Sequence, residues 1–153
     1  SDGLPETLPD LRYSGGSYRW APWLYLVENS LSSKIELEYH TNGTLITPKI
    51  IELWNNFKFV KVTLSLDDIK ERFHYSRFPL KFNDVEKGIK LLVDNKIHYD
   101  IIPTINLLNI GNSTEIYEYF YSNYNKECQF NYLRFPNFQN ISNLPEYYKD
   151  KIL

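Results

Sequence analysis

Cysteine occurs once in this chain of 153 residues, at Cys128. A lone thiol excludes an internal disulfide framework, and it excludes any multi-cysteine metal site made by this chain alone. Methionine is missing altogether. A chain without even an initiator is expected to be a piece of a longer product, with further residues upstream of Ser1. Alanine appears only at Ala21 while Asn, Ile, Lys and Tyr abound, a bias we attribute to codon usage. No apolar run approaches the roughly 18 residues that span a bilayer, so no membrane association is expected. The opening SDGLPETLPD has no apolar stretch of the secretory kind, which makes a reducing cytoplasm the expected compartment. A net charge of −2 argues against a general phosphate-binding surface and leaves room for a local basic pocket. Nucleic acid is therefore not an expected partner.

What is present is enough for one domain. A chain of this length buries roughly 68 to 70% of its unfolded surface, and 42% hydrophobic with 24% charged residues is ordinary for a globular protein. The organising stretch is FVKVTLSLDDIKERFHYSR, Phe59 to Arg77. Phe59, Val60, Val62 and Leu64 suit a buried parallel strand, which breaks into polar residues at Ser65 and Asp67. In parallel α/β folds the loops at the strands' carboxyl ends carry the chemistry.

The rest of the chain repeats that plan. Leu11 to Tyr13 is a candidate short strand, turned by Ser14-Gly15-Gly16-Ser17 into a helix over Trp20 to Leu31. Ile35, Leu37 and Tyr39 alternate with Glu36 and Glu38 as a strand. Thr47 then caps a helix with Pro48 at its first position and an apolar face at Ile50, Ile51, Leu53, Trp54 and Phe57. Asn83 is the predicted cap of a helix over Val85 to Val93 that Asn95 stops. Ile97 to Pro103 is a strand, Ser113 or Thr114 caps another helix, Cys128 to Leu133 is the last strand, and a short helix runs from about Pro145 to Ile152. Five strands with helices between them and no convincing hairpin favour a parallel sheet with right-handed crossovers. Curled, such a sheet is an open barrel.

Polar residues stand at consecutive strand ends: Gly15 and Gly16, Thr41 and Asn42, Ser65 and Asp67, Thr104 and Asn106, Asn131 and Arg134. In a parallel sheet these ends share one face. Taken singly, each has a plain structural reading. Gly-Gly makes a tight turn, Ser65 or Asp67 caps a helix, and Arg77 forms a surface ion pair. Of the three histidines, only His40 lies near a strand end.

Gly15-Gly16, Thr41-Asn42-Gly43, Ser65-Leu66-Asp67 and Arg77, in this order and spacing, resemble the radical S-adenosylmethionine enzymes, over nearly the whole chain from Leu11 to Pro136. They match the first half of that family's Gly-Gly-Glu-Pro motif, its Thr-Asn-Gly turn, its Ser-x-Asp strand end and the arginine that follows. The resemblance implies an α/β fold, a partial (βα) barrel of parallel strands, here N-terminally truncated. It spans residues 1–136, and residues 137–153 are similar to the exit toward a small SPASM or twitch extension. It also implies S-adenosylmethionine as cofactor. Ser65 would meet its ribose, Arg77 its carboxylate and Gly15-Gly16 its methionyl amine, with Ser17, Thr41, Asn42, Asp67, Thr104 and Asn106 completing the site.

In that family a four-iron (4Fe–4S) cluster, held by three cysteines of a CxxxCxxC loop, splits the cofactor to a deoxyadenosyl radical that abstracts hydrogen from substrate. Two features depart from the pattern. Ser17 replaces the motif's glutamate, and one cysteine cannot replace three. The chain is thus expected to be the greater part of such a domain, cut before its cluster loop and inactive alone. Its parent would take a small-molecule, peptide or protein substrate and a reductant protein. The rival expectation is a degenerate, non-catalytic barrel that binds a ligand or a protein. An aromatic-rich carbohydrate or nucleic-acid binder is a third, although most aromatics fall on helix faces where core packing accounts for them.

Overall fold

A computed structural model of the chain describes residues 27, 28 and 30–152. Leu11 to Tyr13, Gly15, Gly16, Ser17 and most of the helix expected over Trp20 to Leu31 lie outside the described residues. Four strands are described: β1 (Glu36–Thr41), β2 (Phe59–Leu66), β3 (His98–Ile105) and β4 (Asn131–Tyr132). All pair in parallel, in the order β1-β2-β3-β4. Between them run α1 (Pro48–Trp54), α2 (Lys70–Ser76), α3 (Phe82–Asp94) and α4 (Ser113–Tyr124), and α5 (Glu146–Ile152) follows.

Sequential strand order with crossovers of one hand places every connecting helix on the same side of the sheet. The residues obey that geometry. Val60, Val62, Leu64 and Leu66 of β2 and Tyr99, Ile101 and Ile105 of β3 join Trp54, Val85, Ile89, Leu92, Ile116 and Phe120 from the helices in one core. The curled sheet is a half-barrel with its helices outside, as the parallel pattern predicts. β1 is an edge strand among the described residues.

Local signals explain most boundaries. The Thr47 hydroxyl accepts from the Ile50 N–H at 3.4 Å and Pro48 opens α1, as expected. Asn95 closes α3, its N–H donating to the carbonyls of Leu91 and Val93, and Asn125, at φ +49°, closes α4 in the left-handed conformation that Asn tolerates.

Three boundaries differ from expectation. α4 begins at Ser113 itself, with Asn112 at the cap position and no side-chain cap bond, so neither Ser113 nor Thr114 is the cap. α3 begins at Phe82 rather than after an Asn83 cap. Phe82 is 5% exposed and makes edge contacts with Phe73, Tyr119 and Phe120, so burial of its ring overrides the cap preference. The strand expected over Cys128 to Leu133 pairs only in part: Cys128 bridges Ile101, and Asn131 and Tyr132 face Thr104 and Ile105. The register is the same at both places, but an exposed outer strand has little burial to hold the residues between them.

One close approach locks a loop to a helix. Gly43, after β1, has φ +81°, and a Cβ there would lie 3.1 Å from Leu64 Cδ2. Gly88 of α3 is tighter still, since a Cβ would fall 2.4 Å from the Gly43 carbonyl oxygen. Gly88 leaves room for hydrogen alone, while Gly43 is set by its positive φ and by a tight fit against Leu64, and the loop after β1 is seated on α3 as a result.

Candidate functional site

The inner face of the half-barrel is polar. Strand alternation turns Glu36, Glu38 and His40 of β1, Lys61, Thr63 and Ser65 of β2, and His98, Asp100 and Thr104 of β3 away from the helices. Phe59 and Ile102 are its apolar members, and the Phe59 ring lies 6.1 Å from that of His98. Lys61 donates to Asp100 at 2.8 Å across β2 and β3. That hydrogen bond holds the Asp100 carboxyl below its ordinary range and raises the Lys61 ammonium. A sheet built only for stability would bury both faces. This one leaves a charged inner surface that leads up to the strand ends.

At the carboxyl end of β2, Ser65, Asp67 and Arg77 come together in one region. Ser65 is half-buried on the inner face. Among the described residues its hydroxyl makes no hydrogen bond. Asp67 lies just past the strand, its side chain 15% exposed. Arg77, at the end of α2, returns over it: Nε donates to Asp67 Oδ2, and Nη2 donates to Oδ1 at 3.0 Å. The ion pair among the plain readings is therefore present, and it is side-on. Of the five N–H donors of a guanidinium, two meet Asp67. The outer edge, Nη1 with the second proton of Nη2, has no partner among the described residues and suits a second carboxylate.

The other predicted site residues build loops. The Thr41 hydroxyl accepts from the Gly43 N–H at 3.1 Å. Asn42 Oδ1 accepts from the Thr44 N–H at 3.1 Å and the Thr44 hydroxyl at 2.8 Å. Asn106 is 9% exposed, and its Oδ1 accepts from the Leu108 N–H at 2.8 Å, an Asx turn. Thr104 contributes its carbonyl, which accepts from Asn109 Nδ2 at 2.8 Å. Asn131 is exposed on β4, and the Arg134 carbonyl accepts from Asn140 Nδ2 at 3.2 Å.

Two groups escaped the sequence reading. Asn109, 3% exposed, ties the ends of β2 and β3 together by side-chain bonds to Asp67, Thr104 and Asn106. Asp68, 4% exposed, accepts from the Ile69 N–H, from Arg72 Nε at 3.0 Å and from Asn112 Nδ2 at 3.3 Å. Arg72 Nη2 reaches on to Glu115 at 2.8 Å. The Asn-x-x-Asn spacing of Asn106 and Asn109 just past a strand was the available signal for the first. For the second, the i,i+4 spacing of Asp68 and Arg72 was a local signal, whereas Asn112 and Glu115 come from the far side of β3.

No family model matches the chain, and no curated protein matches it significantly. Among solved structures it is similar to anSMEcpe. The native protein with bound AdoMet matches at 23% identity and a TM-score of 0.60, over 74% of this chain and 32% of that one. The form with bound AdoMet and the Cp18Cys peptide matches at 26% identity and a TM-score of 0.54, over 62% of this chain and 27% of that one. A third, with AdoMet and the Kp18Cys peptide, matches at 24% and 0.54. The chain thus spans about a third or less of the structures it matches. Its half-barrel is similar in fold to part of proteins solved with bound AdoMet, the cofactor that the sequence resemblance implies.

Proposed function

We propose that this chain is the greater part of a radical S-adenosylmethionine domain and binds S-adenosylmethionine at the carboxyl ends of its strands. The observation that carries this reading is the side-on Asp67–Arg77 pair, which orients a guanidinium while leaving its outer edge available. Arg77 holds the cofactor's carboxylate by that edge, Ser65 meets a ribose oxygen from the inner face, and the loop seated on α3 forms a wall. Gly15, Gly16 and Ser17 belong to the same proposal for the methionyl amine. The anSMEcpe structures with bound peptides support a peptide or protein as the parent protein's substrate. A cytoplasmic location goes with this reading.

In radical S-adenosylmethionine enzymes, reductive cleavage of the cofactor to a deoxyadenosyl radical draws its electron from an iron–sulfur cluster. The residues here do not fit that group. Cys128 is the chain's only cysteine, and burial pushes its thiol up to about 11, away from the thiolate a cluster requires. Among the described residues no group of three His, Cys, Asp or Glu side chains could hold a metal. We therefore assign to this chain the binding and orientation of the cofactor. The cluster and a reductant protein belong to the parent.

Calorimetric titration with S-adenosylmethionine tests the assignment. Arg77→Ala should weaken binding by about 1.5 to 3 kcal/mol, the range of a charged hydrogen bond, or roughly ten- to a hundredfold. Ser65→Ala should cost about 0.5 to 1.5 kcal/mol as a neutral one. Lys90→Ala, on the exposed side of α3, is the control. Arg72 cannot serve, because it is tied to Asp68 and Glu115. Equal affinity for wild type and Arg77→Ala overturns the assignment. The single thiol, with Thr41, Asn42 and Asn106 committed to their loops, favours the second reading, a non-catalytic barrel that binds another ligand or a protein. A folded chain without affinity for S-adenosylmethionine selects it.

A further inference from the structure

We infer that Asn109 is the positioning residue of the Arg77 site, an inference that rests on the cofactor reading above for its functional consequence. Asn109 reaches back from the loop after β3 to the end of β2. Its Nδ2 donates to the carbonyls of Asp67 and Thr104, and its Oδ1 accepts from the Asn106 N–H at 2.7 Å. These partners fix the amide's orientation, because two carbonyls can only accept and an N–H can only donate. Both Nδ2 protons and the oxygen are engaged, at a position 3% exposed. No other side chain of similar size reproduces the set: aspartate lacks both donors and would oppose two carbonyls, and leucine lacks every polar atom.

The consequence runs through Asp67. Holding the Asp67 carbonyl fixes the backbone at residue 67, hence the direction of its side chain. That carboxylate in turn is what meets Nε and Nη2 of Arg77. Nothing else among the described residues bonds Arg77's guanidinium. With Asn109 in place, the outer edge of the guanidinium has one direction. Without it, the strand end is released, and Arg77 is left with a carboxylate on a loose tether. Asn109 touches no ligand in this scheme, and it acts on the carboxylate half of the cofactor alone.

Two readouts separate this role from a merely structural one. The first needs no ligand. In NMR spectra of the full chain, the Arg77 Nε–H, held by Asp67, should give a resolved, exchange-protected signal in wild type that is lost in Asn109→Ala. The second compares two ligands. Asn109→Ala should weaken S-adenosylmethionine about tenfold or more while leaving 5′-methylthioadenosine, which lacks the methionyl carboxylate, unchanged. Asn109→Ala combined with Arg77→Ala should bind no more weakly than Arg77→Ala alone. If Asn109→Ala does not fold, Asn109→Ser, which keeps one donor, carries the same test. An Arg77 Nε–H signal unaltered in a folded Asn109 variant overturns the inference, as does an equal loss of affinity for both ligands. Should wild type bind neither ligand, the cofactor reading falls, and the Arg77 signal still decides whether Asn109 sets the guanidinium.

Discussion

Leu64 and Ser65 are neighbours on β2 and stand on opposite faces of one sheet. Leu64 is fully buried under the helices and touches the position where a Gly43 side chain would be, whereas Ser65 is half-buried with a hydroxyl free among the described residues. The outer face is determined many times over, by Val62, Leu64, Leu66, Ile101 and Ile105 meeting Trp54, Val85, Ile89 and Phe120. The inner face is held only by a few cross-strand pairs such as Lys61–Asp100. One strand thus separates two kinds of constraint at a spacing of one residue. Changes outside should cost stability, and changes inside should cost binding.

The largest break in that contrast is Leu64→Ala. Loss of a fully buried leucine should destabilise the chain by about 2 to 5 kcal/mol, read as a lower urea midpoint, while Ser65→Ala should change stability by no more than about 0.5 kcal/mol. Comparable losses from both would abolish the distinction. Next is Gly88→Ala. A methyl directed at the Gly43 carbonyl oxygen should cost about 1 to 3 kcal/mol as overpacking, and chemical shifts of Gly43 and Thr44 should move with it; a neutral effect would show that the loop after β1 is not seated on α3.

The smallest effect belongs to Asp100→Asn on the inner face. The Asp100 carboxyl is held below its ordinary value by the hydrogen bond from Lys61. Its contribution is therefore present above the unfolded value, near pH 4, and is lost as pH falls through the folded value. Wild type and Asp100→Asn should separate modestly in urea midpoint at pH 5 to 7 and converge below pH 4, the size limited by exposure of the pair. A gap that widens toward acid would reverse the sign and refute the assignment.

How much of this was legible in the sequence depends on how far apart the interacting residues lie. The β2 run, the Thr47-Pro48 start of α1 and the alternation of helix and strand are local signals, and the parallel half-barrel follows from them. The meeting of Ser65, Asp67 and Arg77 was legible as a strand end and a returning helix. That Asp67 itself holds Arg77 side-on was not, because both the ion pair and a free arginine satisfy the same spacing. Asn109 was hidden further, since one of its partners is 42 residues away. The inner face was visible in retrospect as Lys61, Thr63 and Ser65 alternating with Val62, Leu64 and Leu66. The start of α3 was misplaced because ring packing of Phe82 draws on Phe73, Tyr119 and Phe120, which no local cap rule contains.

The order β1-β2-β3-β4 in the sheet is also the order of synthesis. Each strand, as it leaves the ribosome at about 5 to 20 residues per second, finds its neighbour's edge already made, and none has to be inserted between two earlier ones. By the end of α3 the chain has supplied both strands of the β1–β2 pair, Gly88 with the loop it meets, and both partners of the Asp67–Arg77 pair. The Asn109 amide arrives only with β3 and its following loop, so the group that holds the Asp67 carbonyl is synthesised after both partners of the ion pair it supports.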